Sequence, residues 1–117
     1  MPFKFEKLKV WQSSLDIAEK IHLLTKNFPR DELFILTQQI KRAADSIGLN
    51  IAEGATGQSN SEFKKFLGYS IRSSAEVVAC LYLASRRKYI EEFQFKENYE
   101  CLDSLTKSIQ ALRNSIN

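Results

Sequence analysis

Few residues in this chain are of a type that could do chemistry, and none of them converge. His22 is the single histidine, so no His–His metal pair exists within one chain. Its place on a helical stripe reads as a core or boundary histidine. Glu53 has the acid needed for general acid–base work, but no nucleophile or second acid is spaced to act with it. It reads instead as an interaction residue at a helix end. Ser46, Ser70, Ser73 and Ser74 have no base beside them and read as small packing residues. Gly54-Ala55-Thr56-Gly57 lacks the Gly-Lys-Ser/Thr ending of a phosphate loop and precedes no parallel strand. Cys80 and Cys101 stand alone, without a CxxC or a second ligand pair, and read as reduced, packed thiols. No catalytic residue, metal or cofactor is assigned, and the sequence points away from an enzyme.

The remaining candidates are cations. Lys65 and Arg72 lie seven residues apart on one face of a helix, with Tyr69 between them. Lys41-Arg42 and Arg86-Arg87-Lys88 form two further clusters. Cations with an aromatic ring suit a nucleic-acid backbone and an unstacked base. The competing reading is a solvated face with i,i+4 pairs such as Lys41/Asp45 and Arg72/Glu76. The net charge of +3 is too small to choose between them for one copy.

Helices must position these groups. The 117 residues, 44% hydrophobic with four glycines and two prolines, suit one globular helical domain over residues 1–117. The longest apolar runs fall far short of the ~20 residues of a membrane span, and the N-terminal MPFKFEKLKVWQ is no secretory signal. A cytoplasmic protein is expected. The first helix is read from about Lys7 to Asn27, with Leu8, Trp11, Leu15, Ala18, His22 and Thr25 facing the bundle. A second stripe, Val10, Ile17, Ile21, Leu24 and Phe28, is surplus and is assigned to an oligomer interface.

Phe28-Pro29 closes this helix, and Pro29 opens the next, with Asp31 and Glu32 in its first turn. Leu33, Leu36/Thr37, Ile40, Ala44, Ile47, Ile51 and Gly54 form its stripe, with a bend or weak point expected at Gly48. Asn50, beside this seam, is read as a buried amide that fixes register or caps a neighbouring chain. Ser59-Asn60-Ser61-Glu62 is a capping box for a third helix ending near Lys88. Phe63, Phe66/Leu67, Ser70, Ser74, Val77, Leu81 and Ala84 form its inner stripe, and Gly68, Ser70, Ser73, Ser74 and Ala75 allow close approach. The fourth helix, about Glu92 to Ser115, keeps a heptad of Phe95, Asn98, Leu102, Leu105, Ile109, Leu112 and Ile116. Short loops predict antiparallel neighbours.

Three segments, KLKVWQSSLDIAEKIHLLTKNFP, LTQQIKRAADSIGLNIAEG and SEFKKFLGYSIRSSAEV, resemble the four-helix-bundle proteins encoded by intervening sequences in bacterial large-subunit ribosomal RNA genes. The resemblance covers almost the whole chain. Its most specific element is Ser46-Ile47-x-x-Asn50-Ile51-Ala52-Glu53-Gly54 after Arg42-Ala43-Ala44, with Ser73 and Glu76 in the third helix. It implies an all-α, antiparallel up-down-up-down four-helix bundle assembling as a homopentamer. The family includes the accessory protein of diversity-generating retroelements, which implies nucleic acid, RNA or DNA, and a partner enzyme such as a reverse transcriptase. Gly48 replaces the proline, and Arg72 the glycine, carried by many relatives, and Gly57-Gln58 lacks the arginine expected after that glycine. Together these readings describe a non-enzymatic, oligomeric adaptor binding nucleic acid with low sequence preference. The alternative is a protein-binding scaffold whose cations serve subunit contacts.

Overall fold

A computed structural model describes residues 3–117. Four α-helices, α1 (Lys9–Leu24), α2 (Leu36–Thr56), α3 (Asn60–Arg86) and α4 (Glu92–Ser115), make up the fold, with short 3-10 turns before α1 and between α1 and α2. No strand occurs among the described residues. The bundle measures 43 × 23 × 22 Å, and its long dimension is close to the length of the 27-residue α3 at 1.5 Å per residue.

Cross-helix contacts show that successive helices run in opposite directions. On α2 and α3, Ile47 meets Ser70 and Gln39 meets Glu76. On α3 and α4, Lys64 meets Arg113, Ser74 meets Thr106, and Tyr82 meets Phe95. Lys20 of α1 reaches Glu97 and Cys101 of α4, which closes the ring of four. The centre is a single cluster built on Ile21, Ile40, Ile47, Ile51, Leu67, Leu81, Leu102 and Ile109. No described buried side-chain polar atom lacks a partner.

The α1 faces divide differently from the sequence expectation: Leu8 and Trp11 pack against the core and Thr25 is buried, as expected, but the stripe assigned to an interface is buried too. Val10, Ile17, Ile21, Leu24 and Phe28 all lie in the subunit's own core, each at most 9% exposed, and so they cannot form an oligomer interface. Leu15 and Leu23 are exposed instead. The true core stripe includes Ser14, a polar residue in the middle of an apolar heptad. It fits because Gly48 faces it: a Cβ at Gly48 would collide with the Ser14 hydroxyl. Gly48 is therefore a contact point between α1 and α2, and α2 runs unbroken through it.

The start of α2 also differs. Asp31 and Glu32 belong to a separate 3-10 turn, Arg30–Glu32, and α2 begins at Leu36. Glu32 is drawn away from solvent by distant partners: Arg87 Nη1 at 3.0 Å and the Tyr89 hydroxyl at 2.8 Å both donate to its Oε2. Its other oxygen accepts from the Leu36 amide at 3.4 Å, at the first turn of α2. One carboxylate thus joins the α1–α2 connection to the α3–α4 connection.

At the start of α3, the Ser59 hydroxyl accepts from the Glu62 amide at 3.1 Å, which is one half of the expected capping box; the Glu62 carboxylate makes no return bond to the Ser59 amide. Its end is set by Lys88, which adopts φ 62°. The Lys88 amide donates to Ser85 O and the Tyr89 amide to Ala84 O, a Schellman-type closure built without glycine. The α4 bounds and stripe agree with the sequence reading, with Asn98, Leu102, Leu105 and Ile109 buried and Phe95, Leu112 and Ile116 partly so.

Candidate functional site

The motif residues fall along α2 and the facing side of α3. Gly54 is buried where the two helices converge: a Cβ there would lie 2.6 Å from Phe66 Cβ and 3.1 Å from Phe63 Cδ1. About two turns along α2, the Ser70 hydroxyl crosses to the Ile47 carbonyl at 2.8 Å. Further on, Gln39 donates to Glu76 at 3.3 Å, and Arg42 and Glu76 line one cleft with Phe34 and Ile35. Gly68, by contrast, makes no close approach, since a Cβ there would meet only Arg113 atoms at 3.7 Å or more.

Ser46 and Ser73 are half-buried and Glu53 is exposed. Asn50 corrects the sequence reading: it is half-buried and donates to the Ser46 carbonyl of its own helix at 2.9 Å, so it ties no second helix. An amide that satisfies itself within its own helix fixes no register.

The cations divide by environment. Lys65, Tyr69 and Arg72 are exposed along one stripe of α3, spanning about 10 Å at 1.5 Å per residue. The Lys65 ammonium lies 5.5 Å from the Phe66 ring centre, and the Tyr69 ring packs edge-on to Phe66. Arg42, Arg86 and Lys88 are exposed and Lys41 half-buried. None of these cations makes an ion pair among the described residues. The anticipated pairs do not form, because Asp45 binds His22 and Glu76 takes the Gln39 amide. Arg87 is the exception: its ion pair with buried Glu32 makes it a structural residue. That removes it from the candidate interface.

Ionisation is perturbed at few places. The Tyr89 hydroxyl, then the Leu36 amide and the Arg87 charge, hold the Glu32 carboxyl below its usual range, while desolvation opposes them. The same bond from Tyr89 raises the tyrosine's own pKa. Burial pushes the Cys80 thiol up to about 11. Hydrogen bonding to Glu97 raises Lys20.

His22 is a boundary residue, half-exposed, with Nε2 3.0 Å from Asp45 Oδ1. A carboxylate can orient an imidazole in this way, but no hydroxyl or thiol bonds to either group among the described residues. No group of three His, Cys, Asp or Glu side chains able to hold a metal occurs among them. No helix of the described residues is long and apolar enough to cross a membrane.

Sequence reasoning missed two features. The first is the exposed apolar set Leu33, Phe34, Ile35 and Leu49, with Phe34 81% and Leu49 67% accessible. The second is the grouping of Lys26 and Arg30 with Lys41 around one cleft. The only signal of the first was a run of apolar residues just before α2, and a linear reading assigns such a run to the helix core.

The model of the 23S rRNA-intervening sequence protein family matches residues 6–111. Among solved structures, the chain is similar to a protein of unknown function from the S23 ribosomal protein family of Bacteroides thetaiotaomicron VPI-5482. The two share 26% identity over 89% of this chain and 97% of that one, with a TM-score of 0.80. No curated protein matches. With the helices and the α2–α3 motif in place along nearly its whole length, the chain belongs to the 23S rRNA-intervening sequence protein family.

Proposed function

We propose that this protein is a non-enzymatic, homopentameric adaptor of the cytoplasm that binds RNA or DNA through phosphate contacts with low sequence preference. The observation carrying this reading is the set of cations left without carboxylate partners, with Lys65 and Arg72 flanking an exposed Tyr69 on one stripe of α3. Lys41, Arg42, Arg86 and Lys88 extend it. Assembly would repeat the formal charge of +3 in every copy and strengthen the attraction of a polyanion. The family resemblance adds a partner enzyme, such as a reverse transcriptase, delivered to the bound strand.

The test is titration of labelled single- and double-stranded RNA and DNA at two salt concentrations. Affinity should fall steeply with salt, because each neutralised phosphate releases condensed counterion. The Lys65→Glu/Arg72→Glu variant should weaken all four nucleic acids alike. Absence of binding at low salt would remove the reading.

One observation favours the scaffold alternative on part of the same surface. Phe34 and Ile35 line the cleft that holds Arg42, and Leu49 lies on the same helix, so this edge of α2 suits a protein neighbour. It replaces the α1 stripe as the candidate contact between copies. Light scattering should give the mass of five chains, and Phe34→Lys or Leu49→Lys should reduce it without unfolding the bundle. A monomeric wild type would end the pentamer.

A further inference from the structure

A cleft of about 500 Å³ opens where the turn after α1 meets the outer side of α2. Lys26 comes from that turn, Arg30 from the next, and Lys41 from the second turn of α2, and His22 of α1 also lines the cleft. No carboxylate lines the cleft. Lys26, Arg30 and Lys41 make no ion pair among the described residues, although the chain has 14 acids against 17 basic residues. Pro29 and half-exposed Leu33 give the same cleft an apolar wall. The adjoining acid, Asp45, is engaged by His22 Nε2 at 3.0 Å, so three unpaired cations repel one another around the cleft, and a multiply charged anion relieves that repulsion.

We infer that this cleft is a nucleotide-phosphate site, with Lys26, Arg30 and Lys41 holding phosphate oxygens and the Pro29–Leu33 wall receiving the attached sugar or base. It is distinct from the Lys65–Arg72 stripe on α3, where Glu62 and Glu76 stand on the same helix at either end. The inference does not depend on that stripe binding anything. The shared chemistry is a phosphate carried on a nucleoside, which a free nucleotide or a strand could supply.

Titration calorimetry of the full chain with pyrophosphate, adenosine diphosphate and a short single-stranded oligonucleotide tests it at low salt. Adenosine diphosphate or the strand should bind saturably, once per chain for the diphosphate, and more tightly than pyrophosphate; equal affinity for pyrophosphate overturns the nucleotide assignment. Lys26→Glu/Arg30→Glu should weaken binding roughly tenfold or more. Lys65→Glu/Arg72→Glu should leave the diphosphate unaffected. Lys26→Gln/Lys41→Gln, with unchanged circular dichroism, guards against a folding defect.

Tight diphosphate binding identifies a free nucleotide as the source, and binding of the strand alone identifies nucleic acid. No saturable binding of diphosphate or strand, or binding indifferent to both cleft variants, overturns the site. If only Lys65→Glu/Arg72→Glu affects the strand, the cleft inference falls and the function proposed above survives. Loss of strand binding in the cleft variants alone sustains the site and moves that function off α3.

Discussion

Gly54→Ala and Gly68→Ala make the same chemical change in helix interiors, and the structure gives them opposite outcomes. Alanine is favoured over glycine in a helix by about 1 kcal/mol. At Gly68 a Cβ meets only the Arg113 guanidinium, at 3.7–3.8 Å, which is ordinary contact. The propensity gain is then kept whole, and stability should rise by about 1 kcal/mol. At Gly54 the new Cβ would lie 2.6 Å from Phe66 Cβ, well inside the ~3.5 Å of favourable carbon contact.

Both atoms in that collision are fixed to backbone, so no rotamer change relieves it and α2 must move away from α3. Overpacking of this kind costs about 1–3 kcal/mol. Set against the propensity gain, it leaves a net loss of up to about 2 kcal/mol. For 117 residues a change of 1 kcal/mol moves the thermal midpoint by about 4 °C. Thermal melts by circular dichroism should therefore show Gly68→Ala about 4 °C above wild type and Gly54→Ala up to about 8 °C below it. A Gly54→Ala protein with a midpoint above wild type would refute the claim that α3 side chains leave no room for a Cβ at Gly54.

Lys88→Gly should stabilise the fold by about 0.5–1 kcal/mol in urea melts, because Lys88 holds a left-handed φ of 62° that glycine adopts without penalty. The lowered Glu32 pKa contributes stability that is present above the carboxyl's unfolded pKa and is lost as pH falls through its folded pKa. The raised Tyr89 pKa contributes below the unfolded phenol pKa and is lost as pH rises through the folded one. Melts across pH should show both losses, and Glu32→Gln should blunt the acid one. With a colorimetric thiol reagent near neutral pH, Cys101 should react before Cys80, whose thiol is buried and pushed up to about 11. Equal rates would mean that the core around Cys80 of α3 opens readily.

The two ends of the chain differ in how plainly they declare their packing. In α4 nearly every core position is Leu, Ile or Phe, and its outward positions are mostly polar, so a single period is visible. In α1 two apolar stripes of equal period lie side by side. The true one is interrupted by Ser14, which is tolerated only because Gly48 faces it from another helix. That fact is tertiary and no local pattern contains it. Likewise Glu32 looks like a first-turn acid until Arg87 and Tyr89, more than fifty residues away, reveal it as a bridge. The α3 cations were legible as a stripe, whereas the cleft of Lys26, Arg30 and Lys41 depends on how the α1–α2 turn folds back.

The Glu32 bridge also bears on which hairpin pairs with which. The bundle is two helical hairpins, α1–α2 and α3–α4, joined through Gly57–Ser59. Glu32 and Phe28 come from the first hairpin, and Arg87 and Tyr89 from the second. A foreign hairpin without Arg87 and Tyr89 would leave a carboxylate desolvated and unpaired, so the cluster selects its complement. It is blind, however, to which chain supplies that complement. If the three residues between α2 and α3 straightened, two molecules could exchange hairpins and rebuild every one of these bonds. The closed single-chain bundle is therefore held apart from its swapped form by the Gly57 turn and by the lower effective concentration of a second chain.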